Sequence, residues 1–294
     1  MRLWNKFFAV IDRRAFAVGG AAFLAARPPA LARESAERAI AGVERRLGAR
    51  LGVTMLDTGT GARIAYRADE RFPLTSTFKF LAAAAVLAKT DAGGDTLERR
   101  VRFEKSDLVA YSPVTEKHVG DKGMTLAEIC EAAITLSDNS AGNFMLGAIG
   151  GPAGLTRFAR TLGDTLTRLD WIETDLNEAR PGDPRDTTSP AAMLANLEKL
   201  LLGNALSPAS RQRLTDWMVA NKTGDARLRA GLPKDWRIGD KTGAGGHGSN
   251  NDIAILWPPG RKPVLIAAYL TECARSMDER NAALAEVARA LTAE

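Results

Sequence analysis

The stretch LGVTMLDTGTGARIAY, residues 51–66 of this 294-residue chain, predicts a β-hairpin near the N-terminus. Its two halves, 51–56 and 62–66, carry aliphatic and β-branched residues, and a turn of Asp, Thr and Gly separates them. This hairpin decides the fold, because its partner strands have to come from another part of the sequence.

Three more strands are predicted near the opposite end, at 236–242, 253–257 and 264–271, each bounded by Gly, Pro or Asn. From about residue 78 to residue 219 the apolar residues follow helical spacing, with capping and breaking residues between the segments. Strands from both ends of the chain must therefore share one sheet, and a helical domain is inserted between them.

This order of elements predicts an α/β fold of the α+β type with two interlocked domains. Residues 33–68 and 220–294 form the α/β sheet domain, with helices at 35–47 and 277–291. Residues 69–219 form the all-helical domain. The chain is long enough to bury a substantial core in such an arrangement.

The first 32 residues have the pattern of an export signal. Basic residues, with an arginine pair at 13–14, precede an apolar run at 15–26, and an Ala-x-Ala cleavage pattern ends at Ala32. The run is shorter than the ~20 residues of a membrane span. Arg13-Arg14-Ala15-Phe16 resembles a twin-arginine signal, and ordinary Sec export stays an alternative. The mature protein is expected in the periplasm.

The net charge of +5 mostly reflects this segment. Without residues 1–32 the chain keeps 35 basic and 34 acidic residues, a net charge of +1. A basic surface for nucleic acid or an anionic membrane is therefore not indicated. We expect neither partner after signal removal, and we expect a monomer.

Cysteine and histidine usage disfavours a metal site. Cys130 and Cys273 are predicted as two separate buried apolar residues, although an exported protein could pair them. The two histidines, His118 and His247, belong to no zinc-binding motif. We expect no metal and no cofactor.

The sequence Ser76-Thr77-Phe78-Lys79 is the first motif with catalytic potential. Three residues apart on a helix, Ser76 and Lys79 share a face, and a desolvated lysine can activate a serine. Thr75 or Ser76 is predicted to cap a helix through residues 80–88. The alternative is a capping serine with a solvated lysine.

Two further motifs follow, Ser137-Asp138-Asn139 and Lys241-Thr242-Gly243. The first ends one predicted helix and is also a common cap for the next. The second lies on a strand, where its lysine could meet a substrate carboxylate or be only a sheet-edge charge.

The three motifs in this order resemble those of class A β-lactamases and penicillin-binding proteins. The resemblance covers roughly residues 34–291, including 111–118 and 277–281. It implies a five-stranded antiparallel sheet flanked by helices beside an all-helical domain, with the site between them.

The run Glu173-Thr174-Asp175-Leu176-Asn177 resembles the E-x-x-L-N element of class A enzymes, within a catalytic loop at 168–186. A carboxylate and a carboxamide four residues apart can hold one water, and Glu173 can deprotonate it for attack on an ester. Penicillin-binding proteins lack this arrangement and stay acylated. The resemblance thus implies hydrolysis of small-molecule β-lactams. A D-Ala-D-Ala peptidase or transpeptidase, or a non-catalytic β-lactam sensor, remains the alternative.

The resemblance also implies individual roles. Ser76 becomes acylated, with Lys79, or Glu173 through a water, as the base. Ser137 relays a proton to the leaving nitrogen. The backbone N–H groups of Ser76 and Ala244 form an oxyanion hole, at about 2.7–4 kcal/mol per donor. The expected substrate-binding residues are Asn139, Asn177, Lys241, Thr242, Gly243, Ala244, Arg227 and Tyr111.

Two positions depart from the family pattern. Where many class A enzymes have a carboxylate-binding arginine this chain has Asn250, and Arg227 is expected to substitute for it. Where the family has an arginine that pairs with the aspartate of the loop, here Asp186, this chain has Trp171. The loop must therefore be held in another way, and we expect packing of Trp171 to contribute.

Two family features are expected to be absent. In many class A enzymes the position of Cys130 forms a disulfide with a second position, which is Ala83 here. In many carbapenem-hydrolysing members a second disulfide joins the positions that are Thr75 and Gly245 here, so dedicated carbapenemase activity is less indicated.

The run Gly243–Gly248 matches G-x-G-x-x-G, but a strand follows it, so it is predicted to be a turn between antiparallel strands and not a dinucleotide site.

Overall fold

The computed structural model describes residues 29–293. The helices are α1 (Pro29–Leu47), α2 (Phe78–Asp91), α3 (Leu126–Thr135), α4 (Asn139–Ile149), α5 (Gly151–Thr161), α6 (Pro190–Leu201), α7 (Pro208–Val219), α8 (Leu228–Gly231) and α9 (Met277–Thr292). The strands are β1 (Arg50–Asp57), β2 (Arg63–Tyr66), β3 (Phe72–Pro73), β4 (Arg100–Phe103), β5 (Gly120–Thr125), β6 (Thr187–Thr188), β7 (Arg237–Ala244), β8 (Asn250–Trp257) and β9 (Val264–Thr271).

Strands from both ends of the chain form one antiparallel sheet in the order β2-β1-β9-β8-β7. The N-terminal strand β1 pairs along its whole length with β9, from Arg50 opposite Thr271 to Asp57 opposite Val264. The predicted α/β fold with a five-stranded sheet is confirmed. The glycine-rich run also lies where predicted, in the turn between β7 and β8.

Both faces of the sheet are buried, and the alternation along β9 shows how. Val264, Ile266 and Ala268 belong to an apolar cluster with residues of α1 and α9. The intervening Leu265 and Tyr269 belong to a second cluster with residues of α2 and α6. Because successive strand residues point to opposite faces, one strand joins the two cores. The helices of the second core carry the motif residues.

The inserted segment is less uniformly helical than the predicted all-helical domain. It holds a two-stranded pair β4–β5, and β6 pairs with β3. In β4, Arg100 and Arg102 are exposed while Phe103 is buried, an alternation with the period of a strand. The prediction missed it because helical spacing dominated the segment around it. The domain boundaries themselves stay predictions.

The opening helix begins at Pro29, six residues before the predicted start. Residues 29–34 are mostly good helix formers, so nothing in this stretch ends the helix earlier. The expected export signal lies largely outside the described residues, and the expected cleavage point after Ala32 falls within α1. In the described part of the chain, no helix combines the length and apolarity that crossing a membrane requires.

Candidate active site

Ser76 lies in a single 3-10 turn, Thr75–Thr77, which leads directly into α2. The expected cap is wrong, because neither Thr75 nor Ser76 caps this helix with its side chain. Thr77 occupies the cap position, and its hydroxyl donates backwards to the Leu74 carbonyl at 2.6 Å. The hydroxyl of Ser76 is thereby left for other contacts.

Lys79 is fully buried beneath Ser76, which excludes the solvated-lysine alternative. Its Nζ lies 2.9 Å from Ser76 Oγ, 2.8 Å from the Ser137 carbonyl, 2.7 Å from Asn139 Oδ1 and 2.9 Å from Glu173 Oε1. Four acceptors face at most three N–H groups. Burial lowers the pKa of Lys79, and the Glu173 carboxylate opposes that shift.

Glu173 is nearly inaccessible and faces the same serine. Ser76 Oγ donates to Glu173 Oε1 at 3.2 Å, while the Asn177 amide donates to the other carboxylate oxygen. Asn177 Oδ1 is buried without a protein partner. The carboxylate and carboxamide therefore meet beside Ser76, as their spacing in the sequence suggested.

Asn143 holds Glu173 in place and was missed in the sequence. Its Oδ1 accepts the Glu173 N–H at 2.8 Å, and its Nδ2 donates to the Glu173 carbonyl at 3.0 Å. It lies four residues after Asn139 on α4, hence on the same helical face. That spacing was the available signal.

Ser137, just before α4, and Lys241, on β7, meet across the site. Lys241 Nζ donates to Ser137 Oγ at 2.9 Å and to the Thr242 carbonyl at 2.8 Å. Ser137 has a left-handed φ of 58°, just before Asp138 caps α4. Burial, with repulsion from Lys79 and Arg227, holds the pKa of Lys241 well below its usual value. Lys241 is no sheet-edge surface charge.

Asn139 and Tyr111 lie on the helical side of the site. Asn139 Nδ2 donates to the Ala110 carbonyl at 2.9 Å, and its Oδ1 receives Lys79. Tyr111 has a φ of 62° and is 58% exposed, so its ring is available at the surface. This position agrees with an entrance residue.

Thr242, Gly243 and Ala244 end the edge strand β7 opposite Asp252, Asn251 and Asn250. A Cβ at Gly243 would lie 2.1 Å from Thr75 Oγ1 and 3.2 Å from Ser76 N. Only glycine permits this close approach of the strand to the serine turn.

Arg227 is buried behind this strand. Its Nη1 donates to the carbonyls of Gly243 at 2.8 Å and Asn251 at 2.6 Å, and its Nε donates to Asn281 Oδ1 at 3.2 Å. Asn281 also accepts from Asn250 Nδ2 at 3.1 Å. Burial lowers the pKa of Arg227. The role of Asn281 was not predicted, because α9 is remote in sequence.

The neck of the 168–186 loop is built without the family's arginine. The buried Asp186 accepts the N–H groups of Asp170 at 2.8 Å and Trp171 at 3.0 Å. Burial raises the pKa of its carboxyl. The Trp171 ring is half-exposed, and the Arg185 guanidinium lies 5.6 Å from its centre. The contact of the Trp171 ring is thus a cation–π contact with Arg185.

Neither cysteine contributes to the cluster around Ser76. Cys130 and Cys273 are both buried and unpaired, as predicted. Among residues 29–293, no cluster of three His, Cys, Asp or Glu side chains could hold a metal ion.

Comparison with known proteins gives one consistent result. The sequence model of the β-lactamase enzyme family matches residues 35–294. β-Lactamase FAR-1 of Nocardia farcinica is 52% identical over 253 residues, 85% of this chain and 80% of the relative. β-Lactamase L2 of Stenotrophomonas maltophilia is 47% identical over 266 residues, 90% of this chain and 88% of the relative.

Solved structures agree. An ancestral class A β-lactamase superposes with a TM-score of 0.85 at 66% identity, covering 87% of this chain and 98% of its own. The relatives span most of the chain, and the buried Ser76–Lys79–Glu173 cluster lies within the matched region. The chain therefore belongs to the class A β-lactamase family and hydrolyses β-lactam antibiotics.

Proposed function

We propose that Ser76, Lys79, Ser137 and Glu173 carry this hydrolysis through an acyl-enzyme. The observation that supports it most strongly is the contact of Ser76 Oγ with both Lys79 Nζ, at 2.9 Å, and Glu173 Oε1, at 3.2 Å. A serine hydroxyl needs a base to attack a carbonyl. Here two candidate bases lie within hydrogen-bond distance, and burial lowers the pKa of Lys79 from its usual value.

Acylation then follows through linked proton transfers. Ser76 Oγ bonds to the lactam carbonyl carbon while its proton leaves to Lys79, or to Glu173 through a water. The ring C–N bond breaks, and Ser137 passes its proton to the nitrogen. The proton that the base took from Ser76 then replaces it, so the Ser137 hydroxyl is restored. Because Lys241 already donates to Ser137 Oγ, the Ser137 hydroxyl proton is free to be given away.

Deacylation uses Glu173 as general base. A water between Glu173 and Asn177 gives its proton to the carboxylate, and its oxygen bonds to the ester carbon. The ester C–O bond breaks, and Glu173 passes the proton it took from the water to Ser76 Oγ, which restores both side chains. The unpartnered Asn177 Oδ1 and the donation from Asn177 Nδ2 to the Glu173 carboxylate support this place for the water.

Substrate is held by the surrounding polar groups. Asn139 would contact the acyl amide, and Lys241, Thr242 and Arg227 would neutralise the substrate carboxylate. Gly243 keeps β7 close to the serine turn. The Ser76 and Ala244 N–H groups would stabilise the oxyanion. Tyr111 would line the entrance to the site. We also propose that the enzyme is a monomer exported to the periplasm, as the pattern of residues 1–32 suggests.

One assay tests the catalytic proposal. Purified protein mixed with a large excess of a chromogenic cephalosporin should turn over many equivalents at a steady rate. A stoichiometric burst with no further turnover would instead indicate a penicillin-binding peptidase or a non-catalytic sensor.

Arg227→Ala should raise KM for penicillins about tenfold or more, because a charge-assisted contact to the carboxylate is lost. Arg227→Lys keeps the charge but lacks the planar guanidinium. Its KM should lie between those of the wild type and Arg227→Ala. Thermal melts establish that both variants are folded at the assay temperature. An unchanged KM in Arg227→Ala would remove Arg227 from carboxylate recognition.

Trp171→Arg should stiffen the catalytic loop, because it places a cation beside the buried Asp186 carboxyl, whose pKa burial raises. Burial makes the charged carboxylate less favourable in the fold than in water, so a nearby cation stabilises it. A gain of about 1 kcal/mol would raise Tm by about 2–4 °C.

Trp171→Leu is the matched control, since it removes the ring without adding charge. In Trp171→Arg the ratio of the ceftazidime hydrolysis rate to the penicillin hydrolysis rate should also fall, because a stiffer loop admits the bulkier substrate less readily. If neither Tm nor this ratio moves, Trp171 does not govern the loop.

A further inference from the structure

Asn251 is a fully buried amide on β8 that faces the turn carrying the serine. Its Nδ2 lies 2.8 Å from the Pro73 carbonyl, 3.3 Å from the Leu74 carbonyl and 3.0 Å from Thr75 Oγ1. Its Oδ1 accepts the Leu270 N–H of β9 at 3.3 Å. One side chain therefore binds three consecutive residues immediately before Ser76.

This turn needs external support. Thr75 has a φ of 44°, a left-handed conformation that is costly for a β-branched residue. Buried carbonyls also need donors: Asn251 supplies one to Pro73, and it shares the Leu74 carbonyl with Thr77. Strain of this kind persists only where the surroundings enforce it.

Asn251 also belongs to the opposite wall of the site. It pairs with Gly243 across β7 and β8, and its carbonyl accepts Arg227 Nη1 at 2.6 Å. The strand that carries Lys241 and Ala244 and the turn that carries Ser76 are thus tied to the same residue. Their relative position sets the distance between the two proposed oxyanion donors.

We propose that Asn251 is a positioning residue for acylation: it holds the 73–75 turn against β8, so that the Ser76 N–H and the Ala244 N–H converge on one oxygen. It touches no substrate. This inference rests on the proposed role of Ser76.

The test compares Asn251→Ala with Asn196→Ala. Asn196 is an equally buried amide on α6, and within the described residues its side chain donates to Asp164 at 2.7 Å and not to the serine turn. Both variants should lower Tm. Only Asn251→Ala should also lower the acylation rate per folded molecule, by about 10- to 100-fold, since small misplacements of reacting groups cost this much.

A second readout separates positioning from stability. A boronic acid that forms a tetrahedral adduct with the serine should lose affinity for Asn251→Ala by a similar factor, and keep its affinity for Asn196→Ala. If Asn251→Ala does not fold, Thr75→Val removes one of the three contacts at nearly constant volume and should slow acylation by a few fold.

The possible outcomes are distinct. Equal acylation rates per folded molecule in the two asparagine variants, with unchanged boronate affinity, would overturn the role of Asn251. If the wild-type protein itself forms no adduct on Ser76, the proposed catalytic role of Ser76 fails. The wild-type control therefore distinguishes a failure of the role of Ser76 from a failure of the role of Asn251.

Discussion

Ser76→Ala should lower kcat/KM for a chromogenic cephalosporin by about 10⁶-fold, the scale seen when the serine of an acyl-transfer enzyme is removed. The physical reason is that no other hydroxyl takes its place. Lys79 and Glu173 would still face the empty position, but they would have no nucleophile to deprotonate. The measurement is steady-state hydrolysis at high enzyme concentration, followed by intact mass.

Ser210→Ala serves as the matched control. Ser210 is a buried serine on α7 whose hydroxyl donates to Asp91 at 2.7 Å, far from the motif residues in sequence. Its removal should change kcat/KM by less than about twofold. A Ser76→Ala protein that still forms a covalent adduct, or retains a tenth of the activity, would show that another residue is the nucleophile.

Glu173→Ala should lower kcat by about 10²–10⁴-fold, the usual contribution of a positioned general base. Acylation can still proceed through Lys79, whereas the deacylating water loses its base. The acyl-enzyme should therefore accumulate, and the first turnover should be much faster than the following ones. Stopped-flow mixing with excess substrate measures both phases.

Two further variants test whether the effect comes from the Glu173 carboxylate. Glu173→Gln keeps the size of the side chain but cannot accept the proton, and it should also accumulate the adduct. Asp175→Ala removes an exposed carboxylate from the same loop and should turn over normally. Equal slowing of acylation and deacylation in Glu173→Ala would instead place Glu173 in the first step as well.

The sequence predicted the sheet because its strands have a clear signal. Along 264–271 nearly every residue is apolar, and the strand is buried on both faces, so its bounds agree with the structure to the residue. The weak strand β4 was missed because only two apolar residues, Val101 and Phe103, carry its alternation. Short elements within a helical segment leave too few positions for periodicity to be decisive.

The residues that act directly were accessible through motifs, and those that hold them were not. Lys79 and Ser76 are three residues apart, so their contact follows from helix geometry. Asn251 contacts Thr75, and Asn281 contacts Arg227, and in both pairs the two residues are far apart in the sequence. No local pattern marks such residues, because their partners are set by the tertiary arrangement alone.

The loop neck illustrates the same limit. Trp171 was recognisable as a departure, and its packing was anticipated, but its partner Arg185 and the backbone contacts of Asp186 required the folded chain. A single substituted side chain shows which contact is lost. Which contact replaces it depends on the neighbours that surround it in three dimensions.

The measurement that tests the account most directly is peptide-mass mapping of the adduct trapped in Glu173→Ala. The protein is mixed with a penicillin, quenched in acid and digested. The acyl-enzyme mechanism predicts a persistent adduct with the mass of the intact β-lactam on the peptide that contains Ser76, and none in the Ser76→Ala, Glu173→Ala double variant. Normal turnover by Glu173→Ala, or an adduct on any other peptide, would contradict it.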